Sequence, residues 1–154
     1  LIGRCFVRAP WDLAPFVLSM FVLVLALEKH GVTAALGDVL TSPRTVAGTL
    51  LSFGGSSFLA ANLVNNIPMS VLYRSAISAL PAGTGNGTAA LYAAVVGSNL
   101  GAFFTPMGAL AGIMWTGQLR DHGVPFSFGS FVRYGAAVAI PALTAALLGL
   151  WIVL

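Results

Sequence analysis

Between Arg44 and Arg120 the chain carries one charged side chain, Arg74, and the uncharged stretches on either side exceed the roughly 20 residues a helix needs to cross a bilayer. Such runs bury badly in a water-soluble domain. The whole sequence agrees, being 58% hydrophobic and 7% charged with a mean hydropathy of +0.94. The expectation is an all-α integral membrane protein, multi-pass in a cell membrane with the lipid bilayer as its solvent. The formal charge of +3 comes from 7 basic residues scattered among loops. They form no stripe that tracks a phosphate backbone, so nucleic acid is excluded as a partner. The one cysteine, Cys5, rules out an internal disulfide framework and a multi-thiolate metal site built from this chain alone. A lone thiol near a chain end is a weak ligand set and is read as structural. Neither a metal nor a cofactor is expected.

Two polar interruptions lie deep inside the apolar runs: Asn65-Asn66-Ile67-Pro68, and Ser98-Asn99-Leu100-Gly101 with Thr105-Pro106 close behind. In lipid every backbone N–H and C=O must find a partner within the protein, so helix breakers at membrane depth are tolerated only where the freed groups are buried or line a cavity. Paired breaks of this kind point to a solute site between broken helices. The chain opens on Leu1 with no secretory leader pattern, and a carrier of small solutes generally encloses its site between two bundles. Half of a transporter is the expectation.

Leu13 to Leu27 is continuously apolar, entered by Trp11 and Asp12 and closed by Glu28-Lys29-His30-Gly31, which predicts a first spanning helix over about 11–27. Apolar residues at helical spacing between Gly31 and Arg44 predict a short interfacial helix. The 36 residues from Thr45 to Leu80 are too few for two full crossings, so 45–80 is read as a re-entrant hairpin of two short arms. Its tip falls at Asn65 to Pro68, where Pro68 pushes Ile67 out of the α region. Pro81 to Thr88 is read as a glycine-rich linker, because it lacks the Gly-Lys-Ser/Thr ending of a phosphate loop. Ala89 to Gln118 is too long for an upright span and is read as a broken helix over 89–118, with Gly97 to Gly101 as the break. The final helix is 131–154, with Pro141 as a kink and Trp151 at an interface. Placing Arg4, Arg8 and the Arg120–Arg133 loop on the cytoplasmic side puts the hairpin entrance and the C-terminus outside.

Asn65 and Asn66 offer amide donors and carbonyl acceptors where an unpaired polar group costs several kcal/mol. They either hold the hairpin together or bind a solute, and the adjacent proline favours binding. Asn62 lies one turn earlier and fits either role. Ser98, Asn99 and Thr105 form the second polar cluster, with Gly101 and Gly108 permitting close backbone approach and Pro106 freeing a carbonyl. Gly97 to Gly101 and Gly108 to Gly112 also match the small-residue pattern of helix packing, which leaves the Asn and Thr unexplained. The candidate substrate-binding residues are Asn65, Asn66, Pro68, Ser98, Asn99, Gly101, Thr105, Pro106 and Gly108. None of the four carboxylates, Asp12, Glu28, Asp38 and Asp121, falls inside an apolar span, so ion coupling through a buried acid would reside elsewhere. His30 and His122 sit among charged loop neighbours and read as solvated. No paired acids, two-histidine motif or nucleophile elbow occurs, so an enzyme is not expected.

Three segments, Ala61 to Pro68 (ANLVNNIP), Gly97 to Gly101 (GSNLG) and Thr105 to Ala111 (TPMGALA) on to Trp115, resemble the arsenical pump membrane protein family of arsenite and antimonite permeases. That family lies in the ion transporter superfamily, beside sodium/proton antiporters and dicarboxylate carriers. The resemblance runs from FVLSMFVLVLALEKHG to the last helix and corresponds to the C-terminal half of such permeases. It implies a carrier of two inverted halves, each giving a hairpin and a broken helix to a central site. Carried over, Asn65, Asn66 and Pro68 match the hairpin-tip motif, and Asn99, Gly101, Thr105, Pro106 and Gly108 match the broken-helix motif. The chain departs from many relatives at Asn99, where they carry an acid, and at Ala109, where they carry serine. The implied function is secondary export of arsenite or antimonite, driven by an ion gradient or assisted by a separate ATPase subunit. The implied partners are that solute, the N-terminal half of the same transporter and a second copy in a homodimer. Arsenite near neutral pH is an uncharged hydroxylated solute, which amides and hydroxyls can hold without a counter-charge. A sodium/proton antiporter or organic-anion carrier would call for a buried acid or an anion-binding base. From another class, a non-transporting assembly module would use the glycine-spaced faces to dock a partner.

Overall fold

The computed structural model describes Trp11, residues 13–78, Leu80 and residues 86–154, and the described residues are helical with no strand. Expectations that rest on Arg4, Cys5, Arg8, Asp12 and residues 81–85 lie outside them. Helix α1 (Leu13–Lys29) turns into α2 (Val32–Thr41) through a bend of 75°. Gly31 takes φ +78° at the corner, a left-handed conformation that a residue without Cβ adopts freely. Helix α3 (Val46–Val64) starts at Thr45, whose extended backbone lets Oγ1 accept from Gly48 N at 3.1 Å. Helix α4 (Asn66–Ser78) follows after a single residue, Asn65. Helices α5 (Asn86–Gly101) and α6 (Leu110–Asp121) flank an irregular segment, and α7 (Phe128–Val153) closes the chain. Helix α6 ends in a Schellman turn, with Gly123 at φ +69°, Gly123 N bonded to Arg120 O and Val124 N bonded to Leu119 O.

Helices α3 and α7 are long and apolar enough to cross a membrane, and α1 with α2 passes the same test as one bent pair. The first arm of the expected hairpin is therefore not short. Its 19 residues reach ~28 Å at 1.5 Å per residue, against 13 residues for α4, so the arms are unequal. They fold back on each other, since the rings of Phe53 on α3 and Tyr73 on α4 stack edge to face with centroids 6.2 Å apart.

The core lies between α3, α4 and α5. Leu50, Phe53, Gly54, Ser57, Phe58 and Ala61 share one buried face of α3. Ala89, Ala90, Ala93, Ala94, Gly97, Ser98 and Gly101 share one buried face of α5, again at spacings of one turn. These two faces make the most extensive helix pair in the fold. The glycines set the distance: a Cβ on Gly97 would lie 2.2 Å from Gly54 O, and one on Gly101 would lie 2.4 Å from Phe58 O. Here the expected break at Gly97 to Gly101 is corrected. Those residues, with Ser98 and Asn99, are helical, and the unwound segment is 102–109. The glycines serve close contact with α3, and α5 continues until that contact ends. Helix α5 also begins at Asn86, taking in Asn86 to Thr88 from the expected linker.

Helix α7 buries little, only Ala139 and Leu147, and runs unbroken through Pro141. Its Gly135 packs on the irregular segment, where a Cβ would stand 2.0 Å from Phe103 O.

Adding one methyl at Gly97 or Gly101 is expected to separate α3 from α5 and cost about 1–3 kcal/mol, as overpacking does. Thermal unfolding of the detergent-purified protein checks this, with Gly55→Ala as the control because a Cβ there meets nothing within 4 Å. Equal melting of Gly97→Ala and Gly55→Ala would contradict the packing role.

Candidate functional site

Asn65 joins α3 to α4 with φ 67° and ψ 154°, and it is the one non-glycine residue with positive φ among the described residues. That region of backbone space is otherwise nearly confined to glycine and costs on the order of 1–3 kcal/mol. The residue is buried, at 4% exposure, and its side chain is used at both ends. Oδ1 accepts from Ile67 N at 3.5 Å, in the manner of an N-cap on α4, and Nδ2 donates to Met107 O at 3.3 Å. Pro68 does not displace Ile67 from the helix as expected. It sits in the first turn of α4, where its missing N–H would have had no partner anyway, and it is buried.

The second break comes to the first. Asn66 N donates to Gly108 O at 3.3 Å, so the start of α4 is bonded to the irregular segment through the backbone as well. One turn back on α3, Asn62 Nδ2 donates to Phe58 O at 2.8 Å while Oδ1 accepts from Thr105 Oγ1 at 2.7 Å. Gly108 fits under this pair, since a Cβ there would be 2.8 Å from Gly101 O and 2.9 Å from Asn62 Oδ1. Phe58 and Phe104 pack beside it with ring centroids 5.3 Å apart. Within the segment, Phe104 N bonds to Gly101 O at 2.9 Å and Gly108 N to Thr105 O at 3.1 Å, so turns replace the helix. Pro106 is buried, and a Cβ on Gly112 of α6 would lie 2.6 Å from Pro106 O.

The structure thus gathers Asn65, Asn66, Pro68, Gly101, Thr105, Pro106 and Gly108, together with Asn62. No side-chain hydrogen bond ties Ser98 or Asn99 to this group among the described residues. Ser98 is buried with its hydroxyl donating to Val95 O at 3.0 Å, and Asn99 is exposed with Nδ2 donating to the same carbonyl at 2.8 Å. Amide and hydroxyl both donate back to α5, while the Ser98 carbonyl accepts from Ala102 N at 3.2 Å where the helix ends. The side-chain amide of Asn66, half-buried, makes no hydrogen bond among the described residues. Sequence reasoning passed over the carbonyls of Met107, Gly108 and Phe58, which hold the asparagines. Backbone acceptors leave no mark in a sequence, whereas the spacing of Gly97 and Gly101 did carry the small-residue pattern of helix packing that the contact with α3 uses. No charged side chain takes part among the described residues, so the cluster is held together by neutral hydrogen bonds.

Replacing Asn65 by Gly relieves the backbone and loses the side-chain bonds, while Asn65→Ala loses the bonds and keeps the strain. The Ala variant is therefore expected to be less stable than the Gly variant by about 1–3 kcal/mol. Chemical denaturation in detergent measures the order, and equal stability would remove strain from the account. A double-mutant cycle on Asn62→Ala and Thr105→Val should give a coupling of about 0.5–2 kcal/mol, in the range of interhelical hydrogen bonds in membranes.

The profile of the arsenical pump membrane protein family matches residues 3–154. An arsenical pump membrane protein of Yersinia enterocolitica is 31% identical over 144 residues, covering 92% of this chain and 33% of its own length. One from Escherichia coli strain K12 is 31% identical over 147 residues, with the same coverage. A Synechocystis protein described as an uncharacterized transporter is 30% identical over 165 residues, or 92% of this chain and 36% of that protein. The chain spans about a third of the length of the curated relatives it matches. No solved structure matches it. The matched profile covers nearly every residue from the first helix to the last and includes both helix breaks, and on that ground the chain belongs to the arsenical pump membrane protein family, as part of a multi-pass protein of the cell membrane.

Proposed function

We propose that the chain is part of the C-terminal half of a secondary transporter that exports arsenite or antimonite across the cell membrane. The observation that carries this reading is the joining of the two breaks by neutral groups, Asn65 Nδ2 to Met107 O and Asn66 N to Gly108 O. Paired breaks held at one place are where carriers bind solutes, using helix ends and unwound backbone. The chemistry at this place suits an uncharged, hydroxylated solute. The Asn66 amide can donate and accept, and the Thr105 hydroxyl, having donated to Asn62, retains lone pairs that accept from a solute hydroxyl. Asn65 acts by holding the two segments in register. Ser98 and Asn99 stand outside this role, because their side chains bond to Val95 O on their own helix.

The family name of the relatives supports the choice of solute. The driving force is an ion gradient, with or without a separate ATPase subunit, and the remaining wall of the site comes from the N-terminal half of the same transporter. Export needs no buried charge on this side of the site, in keeping with four carboxylates that all lie outside the uncharged runs.

In cells lacking their own arsenite efflux, the full-length protein is expected to lower intracellular arsenic. Asn66→Ala should cut export roughly tenfold, the worth of one good hydrogen bond, at unchanged protein level in the membrane. Asn99→Ala should export nearly as well as the parent. Intracellular arsenic equal to that of empty-vector cells for the parent protein would overturn the solute. Full export by Asn66→Ala would overturn the site.

A further inference from the structure

Two cavities meet at Arg74 and Ser78, far along α4 from the break. The inner one, about 190 Å³, is a slot between α4 and α5 walled by Met69, Tyr73, Ile77, Leu91, Ala94 and Val95. Ser70 and Ser98 also line it, but the surface it exposes is mostly carbon, and its volume holds roughly six methylene groups at the ~30 Å³ that a water-sized group occupies. The outer one is a wider recess of about 600 Å³, bounded by Glu28, Val71, Arg74, Ser75 and Ser78. Glu28 lies in the last turn of α1 and Arg74 in the last two turns of α4, so both stand where these helices end. Both are exposed, and among the described residues they form no ion pair although they border one recess.

An apolar slot opening into a recess that holds one cation and one anion, apart from each other, is complementary to a zwitterionic lipid. We propose that this is a binding site for a phospholipid with a primary ammonium headgroup, phosphatidylethanolamine, with an acyl segment in the slot between α4 and α5. The Arg74 guanidinium holds the phosphate through its planar fork, aided by the hydroxyls of Ser75 and Ser78. The Glu28 carboxylate accepts from the ammonium. Arginine near a helix end at the membrane interface is well placed for a headgroup, and basic pockets between membrane helices are known receptors for lipid phosphates. Charge decides between lipids here. Phosphatidylglycerol offers Glu28 no cation, and phosphatidylcholine offers a quaternary ammonium with no N–H to donate.

Native mass spectrometry of the full-length protein tests this, by titration with phosphatidylethanolamine, phosphatidylcholine and phosphatidylglycerol of identical acyl chains. The ethanolamine lipid is expected to bind roughly tenfold more tightly than either of the others, as a charge-assisted hydrogen bond implies. Arg74→Gln should weaken it by a similar factor, and Glu28→Gln should erase its advantage over phosphatidylglycerol. Val95→Trp, which fills the slot, should weaken all three. Should Arg74→Gln fail to fold, the Glu28→Gln comparison decides. Equal binding of the three lipids by the parent protein would overturn the proposal, and so would an ethanolamine preference that persists in Glu28→Gln.

Discussion

The backbone groups released where a helix breaks inside a bilayer have no water to turn to, and each must be met by the protein itself. In this chain two breaks supply partners to each other. The amide of Asn65 and the first N–H of α4 are given to Met107 O and Gly108 O, carbonyls that no helix uses. Asn62 ties Thr105 to α3 in the same neighbourhood. Each break supplies partners for the backbone groups of the other, and these bonds tie α3 and α4 to the 102–109 segment. The strained backbone of Asn65 is the cost of turning from one arm to the other within a single residue.

Close packing of α3 on α5 brings the two breaks within reach. Small residues on both faces allow the helices to touch backbone to backbone, with Gly97 and Gly101 against the carbonyls of Gly54 and Phe58. In lipid, where apolar surface gains little from leaving the solvent, this kind of contact supplies much of the association between helices. It also settles a competition. Gly97 and Gly101 have low helix propensity, but tertiary contact along α5 keeps them helical, and the chain unwinds only beyond Gly101. The unwound segment is then covered by Gly135 of α7 and Gly112 of α6, which leave room for its carbonyls.

Charge is placed with the same economy. The joined breaks carry amides, hydroxyls and carbonyls only, while Glu28 and Arg74 stand near helix ends, where long polar side chains reach the interface. A neutral interior and charged helix ends are the two features on which the proposed solute site and the proposed lipid site respectively rest. Family membership rests on the profile match from residue 3 to residue 154, independently of either assignment.

The uncharged runs from Arg44 to Arg120 by themselves determined a helical membrane protein, because long continuous apolar runs satisfy their backbone in lipid as helices, whereas the strands of a closed barrel alternate apolar with polar residues. The tip at Asn65 was equally legible, since two amides before a proline have few other uses there. Local signals could not decide which glycines break a helix and which let another helix approach, because both uses call for the same missing Cβ. For the same reason Ser98 and Asn99 looked like members of the break, and only the packing of α3 on α5 showed them to be helical. The partners of the asparagines were also left to tertiary structure, for Met107 O, Gly108 O and Phe58 O belong to the backbone, and every residue has such an oxygen. A side chain's chemistry is written in the sequence, but which carbonyl it meets depends on where the chain comes back.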